Sequence, residues 1–456
     1  MISKLINNQK AFFLKGETKT IAFRKKILIR LKFELIKNEQ AIIDALYADF
    51  KKPPFEAILS ETVLVLSELN ATIKNINLWA TPNRVFPSLL NFPSTDKIYY
   101  EPYGTVLVIS PWNYPYQLSL LPIIGAIAAG NTVVLKPSEL TPNTSKVVES
   151  IIQTIFNKNH VAVVQGDAKI AQELLSFHWD YIFFTGSVHV GKIVAQAAAQ
   201  FLTPTTLELG GKNPCIIDET AHIKLAAKRM VWGKFLNAGQ TCIASDYVII
   251  HKSVKQPFIK ALQKELEFSY SKNPKESEDF ARIINLKNFK RLASLLNNET
   301  IVIGGNMNED DLYLAPTVID EPSLESEVMK DEIFGPILPI LSYDNDDDLR
   351  TIISKYDKPL ALYVFTSNHT FAKKMITNYS FGGGAINDTV IQFANPKLPF
   401  GGVGNSGHGA YHGKHTFYTF SHKKSIVKKG NWLDLPLRYA PYKGKTKLIK
   451  FFLKYF

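Results

Sequence analysis

The sequence predicts an α/β protein with a doubly wound parallel sheet. Two patterns carry that prediction. Short apolar runs of strand length recur from residue 105 onward, and stretches with helical periodicity separate them. Length adds a third observation: 456 residues exceed what one hydrophobic core supports, so two or three domains are expected.

The elements follow in chain order. Residues 18–50 read as one long amphipathic helix or two, with Ile27, Leu28, Leu31 and Leu35 on one face and Arg24, Lys25, Arg30 and Lys32 largely off it. Pro53-Pro54 stops it. Residues 57–79 form a second helical stretch. Prolines at 82, 87, 93 and 102 make residues 81–103 irregular or edge-like. The runs 105–110, 132–136, 161–164, 181–184 and 215–218 then read as strands of one parallel sheet. Helices at 118–129, 145–156, 168–176 and 190–199 alternate with them. A second α/β region spans about 220–420, with helices at 223–235 and 254–269 and apolar runs at 301–303, 337–341 and 360–365.

Composition excludes several classes. The apolar fraction of 46% and charged fraction of 21% suit a globular protein. Two cysteines, Cys215 and Cys242, make neither a disulfide framework nor a paired-cysteine zinc site, which fits a reducing compartment. No secretory signal and no run of ~20 apolar residues is present, so a cytoplasmic protein is expected. The net charge of +12 is mostly dispersed and matches no nucleic-acid motif.

One stretch stands at the centre of the chemistry: Asn237-Ala-Gly-Gln-Thr-Cys242-Ile-Ala-Ser245. Glycine and small residues around a cysteine let a substrate approach the backbone and its N–H groups. A thiolate there is a strong nucleophile, whereas a lone cysteine is more often buried and inert. Ligands of parallel sheets lie beyond the strands' carboxyl ends, so the residues after each run are the ones that matter. After the first run comes Trp112-Asn113; the Asn113 amide is a turn residue or a donor to a developing oxyanion. After the second, Lys136 and Glu139 form a surface ion pair or hold ribose hydroxyls. After the fourth, Thr185-Gly186-Ser187 and Gly191 put a glycine turn at a helix N-terminus, which suits a pyrophosphate. Glu208, among apolar residues and glycines in Leu207-Glu-Leu-Gly-Gly-Lys212, is a capping carboxylate or a desolvated general base.

Taken together, Thr185-Gly-Ser187, Leu207-Glu-Leu-Gly-Gly-Lys212, Gly239-Gln-Thr-Cys242, Glu332-Ile-Phe-Gly-Pro336 and Pro399-Phe-Gly-Gly402 resemble the NAD(P)-dependent aldehyde dehydrogenases in order and spacing. The interval from Glu208 to Cys242, 242 − 208 = 34 residues, is similar too. Trp112-Asn-Tyr-Pro115, Cys242-Ile-Ala-Ser-Asp-Tyr247, Tyr411-His-Gly-Lys414 and Phe420-Ser-His422 resemble the class 3, or fatty-aldehyde, branch.

The resemblance implies a Rossmann-type cofactor domain (1–80 and 104–207), an α/β catalytic domain (208–414) and an oligomerisation arm (81–103 and 415–440), with a basic tail at 441–456. It implies oxidation of medium- or long-chain aliphatic or aromatic aldehydes to acids. Cys242 would form a thiohemiacetal, Asn113 and the Cys242 N–H would hold its oxyanion, and Glu208 would activate the water that hydrolyses the thioester. Lys136 and Glu139 would lie at the adenosine ribose, Gly186, Ser187 and Gly191 at the pyrophosphate turn, and Glu332 at the nicotinamide ribose. Trp112 and Phe334 would line the cofactor site, and Asn387 and the glycines from 401 to 407 would shape nearby loops. The cofactor would be NAD or NADP, with NAD favoured because Glu139 repels a 2′-phosphate. A homodimer is implied. The alternatives are an acylating relative, against which Glu208 argues, and a non-catalytic member of the fold, against which the combined set argues. Ser245 departs from the proline common among relatives.

The tail carries Leu448, Phe451, Phe452 and Tyr455 at helical spacing, with Lys447, Lys450 and Lys454 away from that line. This reads as an interfacial helix making peripheral membrane contact, or as a tail packed on protein.

Overall fold

The computed structural model describes residues 2–88 and 91–452; Lys454 and Tyr455 of the tail pattern lie outside the described residues. The chain divides into two compact units. One comprises Met1–Trp79 and Pro102–His422, and the other Ala80–Glu101 with the chain from Lys423 onward.

In the larger unit an unanticipated helix, Ile2–Leu14, buries Ile2, Ile6 and Gln9. The Gln9 amide donates to Val133 O at 2.9 Å and Lys158 O at 3.0 Å, so a polar side chain docks the helix. The next stretch is two helices, Ile21–Lys37 and Glu39–Phe50. The break falls at Asn38, whose amide turns back to Glu34 O at 2.8 Å. Arg24 departs from the expected pattern: it is 5% exposed rather than solvated. Its guanidinium satisfies the carbonyls of Thr18, Lys19 and Ala128, which offsets the burial.

The first sheet has six strands, in the order Gly407–His408, Thr205–Glu208, Tyr181–Thr185, Thr105–Ile109, Thr132–Lys136 and Val161–Val163. Its last five are parallel and the first is antiparallel. Pro214–Ile217 does not belong to it, contrary to expectation. That strand sits in the second sheet between Tyr247–His251 and Ala361–Phe365. The place beside Tyr181–Thr185 goes instead to Thr205–Glu208, a run too polar to read as a buried strand. The parallel register aligns Thr185 with Glu208, so both end at the same edge.

The second sheet has seven strands, in the order Ile301–Ile303, Thr317–Asp320, Ile337–Tyr343, Tyr247–His251, Pro214–Ile217, Ala361–Phe365 and Gly383–Ile386. Only the first is antiparallel to its neighbour. Near-continuous apolar strands suit a sheet covered on both faces.

The smaller unit holds a three-stranded sheet of Asn83–Val85, Ser94–Pro102 and Ser421–Lys429, and a helix Lys445–Phe452. Helix Lys414–Thr419 falls within the larger unit. A Cβ at Gly125 would lie 2.1 Å from the Thr416 methyl, so glycine permits this close packing. Among the described residues no helix is long and apolar enough to cross a membrane.

Candidate active site

The carboxyl edge of the first sheet and the loop that leads into Tyr247–His251 of the second meet around one cavity of about 320 Å³. Cys242, Glu208, Thr185, Thr241 and Tyr411 line it, and its remaining wall is mostly apolar, with Leu59, Val63, Trp232 and Ile391 among the contributors.

The cysteine loop owes its shape to three consecutive left-handed residues, Asn237, Ala238 and Gly239, with φ of 56°, 51° and 71°. Such strain in non-glycine residues persists only where surroundings over-determine it. Here they do. Asn237 N donates to Glu56 at 2.9 Å, and its amide donates to Asn113 O at 3.0 Å and Gln240 O at 3.2 Å. Gln240 is held at Arg282 O and Ile284 N. A Cβ at Gly239 would fall 2.3 Å from Gly335 O, which brings the 332–336 motif against the cysteine loop. Asn213 bonds the carbonyls of Cys242 and Ala244 at 2.7 and 3.0 Å.

Asn113, 3% exposed, gives its amide to Gln240 O at 3.1 Å. The neighbouring Tyr114 hydroxyl meets Thr241 at 2.7 Å. Burial and the charges of Glu332 and Glu208 push the Cys242 thiol up to about 12, although the N–H groups of Cys242 and Ile243 oppose the shift. Burial raises Glu208 well above the usual carboxylate range, and neither of its oxygens has a hydrogen-bond partner among the described residues.

The other expected residues cluster in two groups. Phe334, at φ 52°, packs edge-on to Trp112 with ring centroids 5.3 Å apart. Glu332 lies against Gly210 so closely that a Cβ there would sit 2.0 Å from its Oε2. Burial and Asp246 raise its carboxyl to about 8, opposed by the Gly211 N–H, Lys212 and Arg291. Further along the strand edge, Lys136 pairs with Glu139 at 2.5 Å. Ser187 caps helix Val188–Ala199 after the Gly186 turn. Gly191 is a packing position inside that helix: a Cβ would fall 2.6 Å from Leu209.

Sequence reasoning missed the supports of this site. Lys52 and Glu61 form a fully buried pair at 2.6 Å. Glu61 also accepts the N–H groups of Tyr116 and Gln117 at 2.9 and 3.0 Å, and Lys52 Nζ stands 3.9 Å from the Tyr114 ring centroid. The local sequence does not single Glu61 out, since Ser60, Thr62 and Glu68 stand near it in the same helical stretch.

An aldehyde dehydrogenase family model matches residues 2–426. The 4,4'-diaponeurosporen-aldehyde dehydrogenase of Staphylococcus aureus is 48% identical over 100% of this chain and 99% of its own. The dimeric NADP-preferring aldehyde dehydrogenase of Rattus norvegicus is 41% identical over 97% of this chain and 98% of its own. A solved substrate-bound state of Staphylococcus aureus AldH superposes with a TM-score of 0.98, at 47% identity and 99% coverage of both chains. Likeness of that extent, running from the first helix through the last strand, means that this chain belongs to the aldehyde dehydrogenase family and oxidises aldehydes to carboxylic acids with NAD or NADP.

Proposed function

We propose that Cys242, Glu208 and Asn113 perform this oxidation on apolar aldehydes, medium- or long-chain aliphatic or aromatic. The observation that supports the reading is the shared cavity: a thiol, and a carboxylate with no hydrogen-bond partner among the described residues, on a wall that is otherwise mostly apolar. Such a wall binds an alkyl or aryl group by burial, at roughly 25 cal/mol per Å² removed from water.

The Cys242 sulfur attacks the aldehyde carbon as its proton, which burial holds on the thiol, passes to water. The oxygen that becomes negative meets the Asn113 amide and the Cys242 N–H. Asn113 has two amide N–H bonds and, among the described residues, commits one of them to Gln240 O, so the other is available. The residues at the strand edge fit a dinucleotide. Gly210 leaves room for the Glu332 carboxylate at the nicotinamide ribose, and Trp112 and Phe334 flank it. Gly186 and Ser187 open a helix toward the pyrophosphate, with Gly191 letting that helix pack closely, and Lys136 and Glu139 stand at the adenosine ribose. Bound there, NAD or NADP supplies the hydride acceptor. Glu208 then takes a proton from the water that hydrolyses the Cys242 thioester.

NAD is the favoured cofactor, because Glu139 repels a 2′-phosphate. The smaller unit serves as a homodimer arm. Support comes from the rat relative, named as dimeric, and from the exposed face of Ser421–Lys429. The tail helix touches a membrane surface peripherally: Leu448, Ile449 and Phe451 are exposed beside Lys447 and Lys450. Deleting residues 443–456 should lower liposome sedimentation, and unchanged binding removes this idea.

The central experiment follows absorbance at 340 nm with NAD or NADP and a panel of aldehydes. Turnover should be highest for apolar aldehydes and vanish in Cys242→Ala, which should still bind cofactor. Sustained turnover by Cys242→Ala would overturn the assignment.

A further inference from the structure

The cavity has another polar wall group to which the reading above gives no task. Tyr411 lines it and is 1% exposed, yet its hydroxyl has no hydrogen-bond partner among the described residues. Buried polar atoms in native proteins are paired, so each exception needs an explanation. The other tyrosine of this wall, Tyr114, already commits its hydroxyl to Thr241.

Tyr411 is aimed by its backbone and its ring. Its N–H donates to Phe400 O at 2.8 Å and its carbonyl accepts Phe400 N at 3.0 Å. The ring packs edge-on to Phe183 at 5.4 Å and to Phe400 at 5.5 Å. Two residues on, Gly413 N donates to the buried Glu68 at 2.7 Å. A phenol oxygen is thereby held in the cavity by contacts that leave the oxygen itself uncommitted.

Thioester hydrolysis needs a water with a fixed orientation. A single carboxylate accepts one O–H and lets the molecule pivot about that bond. A second acceptor removes the freedom and turns a lone pair toward the acyl carbon. We propose that the Tyr411 hydroxyl, together with the Glu208 carboxylate, holds the water that hydrolyses the Cys242 thioester. Glu208 accepts one O–H of that water and Tyr411 Oη the other. The water oxygen bonds to the acyl carbon as its first proton passes to Glu208. The carbon–sulfur bond then breaks, the electron pair leaves on Cys242 sulfur, and the carboxylic acid departs with the second proton. Tyr411 keeps its own proton throughout. Burial and the charges of Glu208 and Cys242 hold its phenol well above the usual range. Tyr411, Glu208 and Cys242 all line the same cavity.

The inference rests on the roles proposed for Cys242 and Glu208, and the test separates the two. Tyr411→Phe removes no hydrogen bond seen among the described residues and keeps the ring packing. Acyl-Cys242 formation and decay are followed by rapid quench and mass spectrometry in the wild type, Tyr411→Phe and Glu208→Gln. In Tyr411→Phe, formation should be unchanged and decay about 10-fold slower, the loss expected from one hydrogen bond. Unchanged decay, or equal slowing of formation, overturns the role of Tyr411. If Glu208→Gln decays normally, the underlying reading fails instead. If Glu208→Gln stalls while Tyr411→Phe matches wild type, only the Tyr411 inference falls.

Discussion

Lys212 Nζ lies 2.6 Å from Asp246 Oδ2, and this buried pair grips both shoulders of Glu332. The same ammonium donates to Asp331 O at 2.9 Å, and Asp246 Oδ1 accepts Ile333 N at 2.9 Å. Arg291 adds a bond to Ile333 O at 2.7 Å. The carboxylate proposed for the nicotinamide ribose is thus positioned from its flanking peptides.

Asp246→Asn would leave Lys212 without its charge partner inside the protein. Removing one member of a buried pair costs about 3–5 kcal/mol. The expected result is a lower Tm and a KM for NAD raised about 10-fold, with a smaller change for the aldehyde. Thermal unfolding and steady-state kinetics at saturating aldehyde check it, and an unaltered KM for NAD would count against the grip.

Gly210→Ala tests the same carboxylate from the opposite side. The added methyl would fall 2.0 Å from Glu332 Oε2, so the carboxylate must move. Cofactor affinity should fall about 10-fold while Cys242 alkylation by iodoacetamide proceeds at the wild-type rate. Cofactor titration by fluorescence gives the first quantity, and an unchanged affinity contradicts the expectation.

Asn113→Ala removes one proposed oxyanion donor. Turnover should drop about 100- to 1,000-fold with little change in NAD binding. A variant that turns over normally would show that the backbone N–H suffices.

The pH profile follows from Glu208. As a base it works ionised, and burial raises its folded-state pKa well above the usual carboxylate range. The proton therefore stays on at pH values where an exposed glutamate has lost it. Thioester hydrolysis should climb as pH rises through and above neutrality, and Glu208→Gln should flatten that limb. A wild-type rate level from pH 5 to 8 would exclude the assignment.

Much of this molecule was legible in the chain. Alternating apolar runs and helical periods are local signals, so one parallel sheet and a second α/β region could be read directly. The environments of Cys242 and Glu208 were also local, since glycines and small residues stand beside each in sequence. Folding decided what depended on distant partners. Pro214–Ile217 joined the second sheet because Thr205–Glu208, polar in composition, filled the place expected for it. Arg24 went inside because carbonyls of Thr18, Lys19 and Ala128 converge on it. Glu56 and Glu61 became supports of the Asn237 and Tyr116 segments, far away in sequence. The sequence by itself determined which reactive groups exist and on which strand ends they stand, because spacing and composition are properties of neighbours. Only the tertiary structure decided the shape of the apolar wall and the aim of Tyr411, because those arise where residues hundreds of positions apart exclude water together.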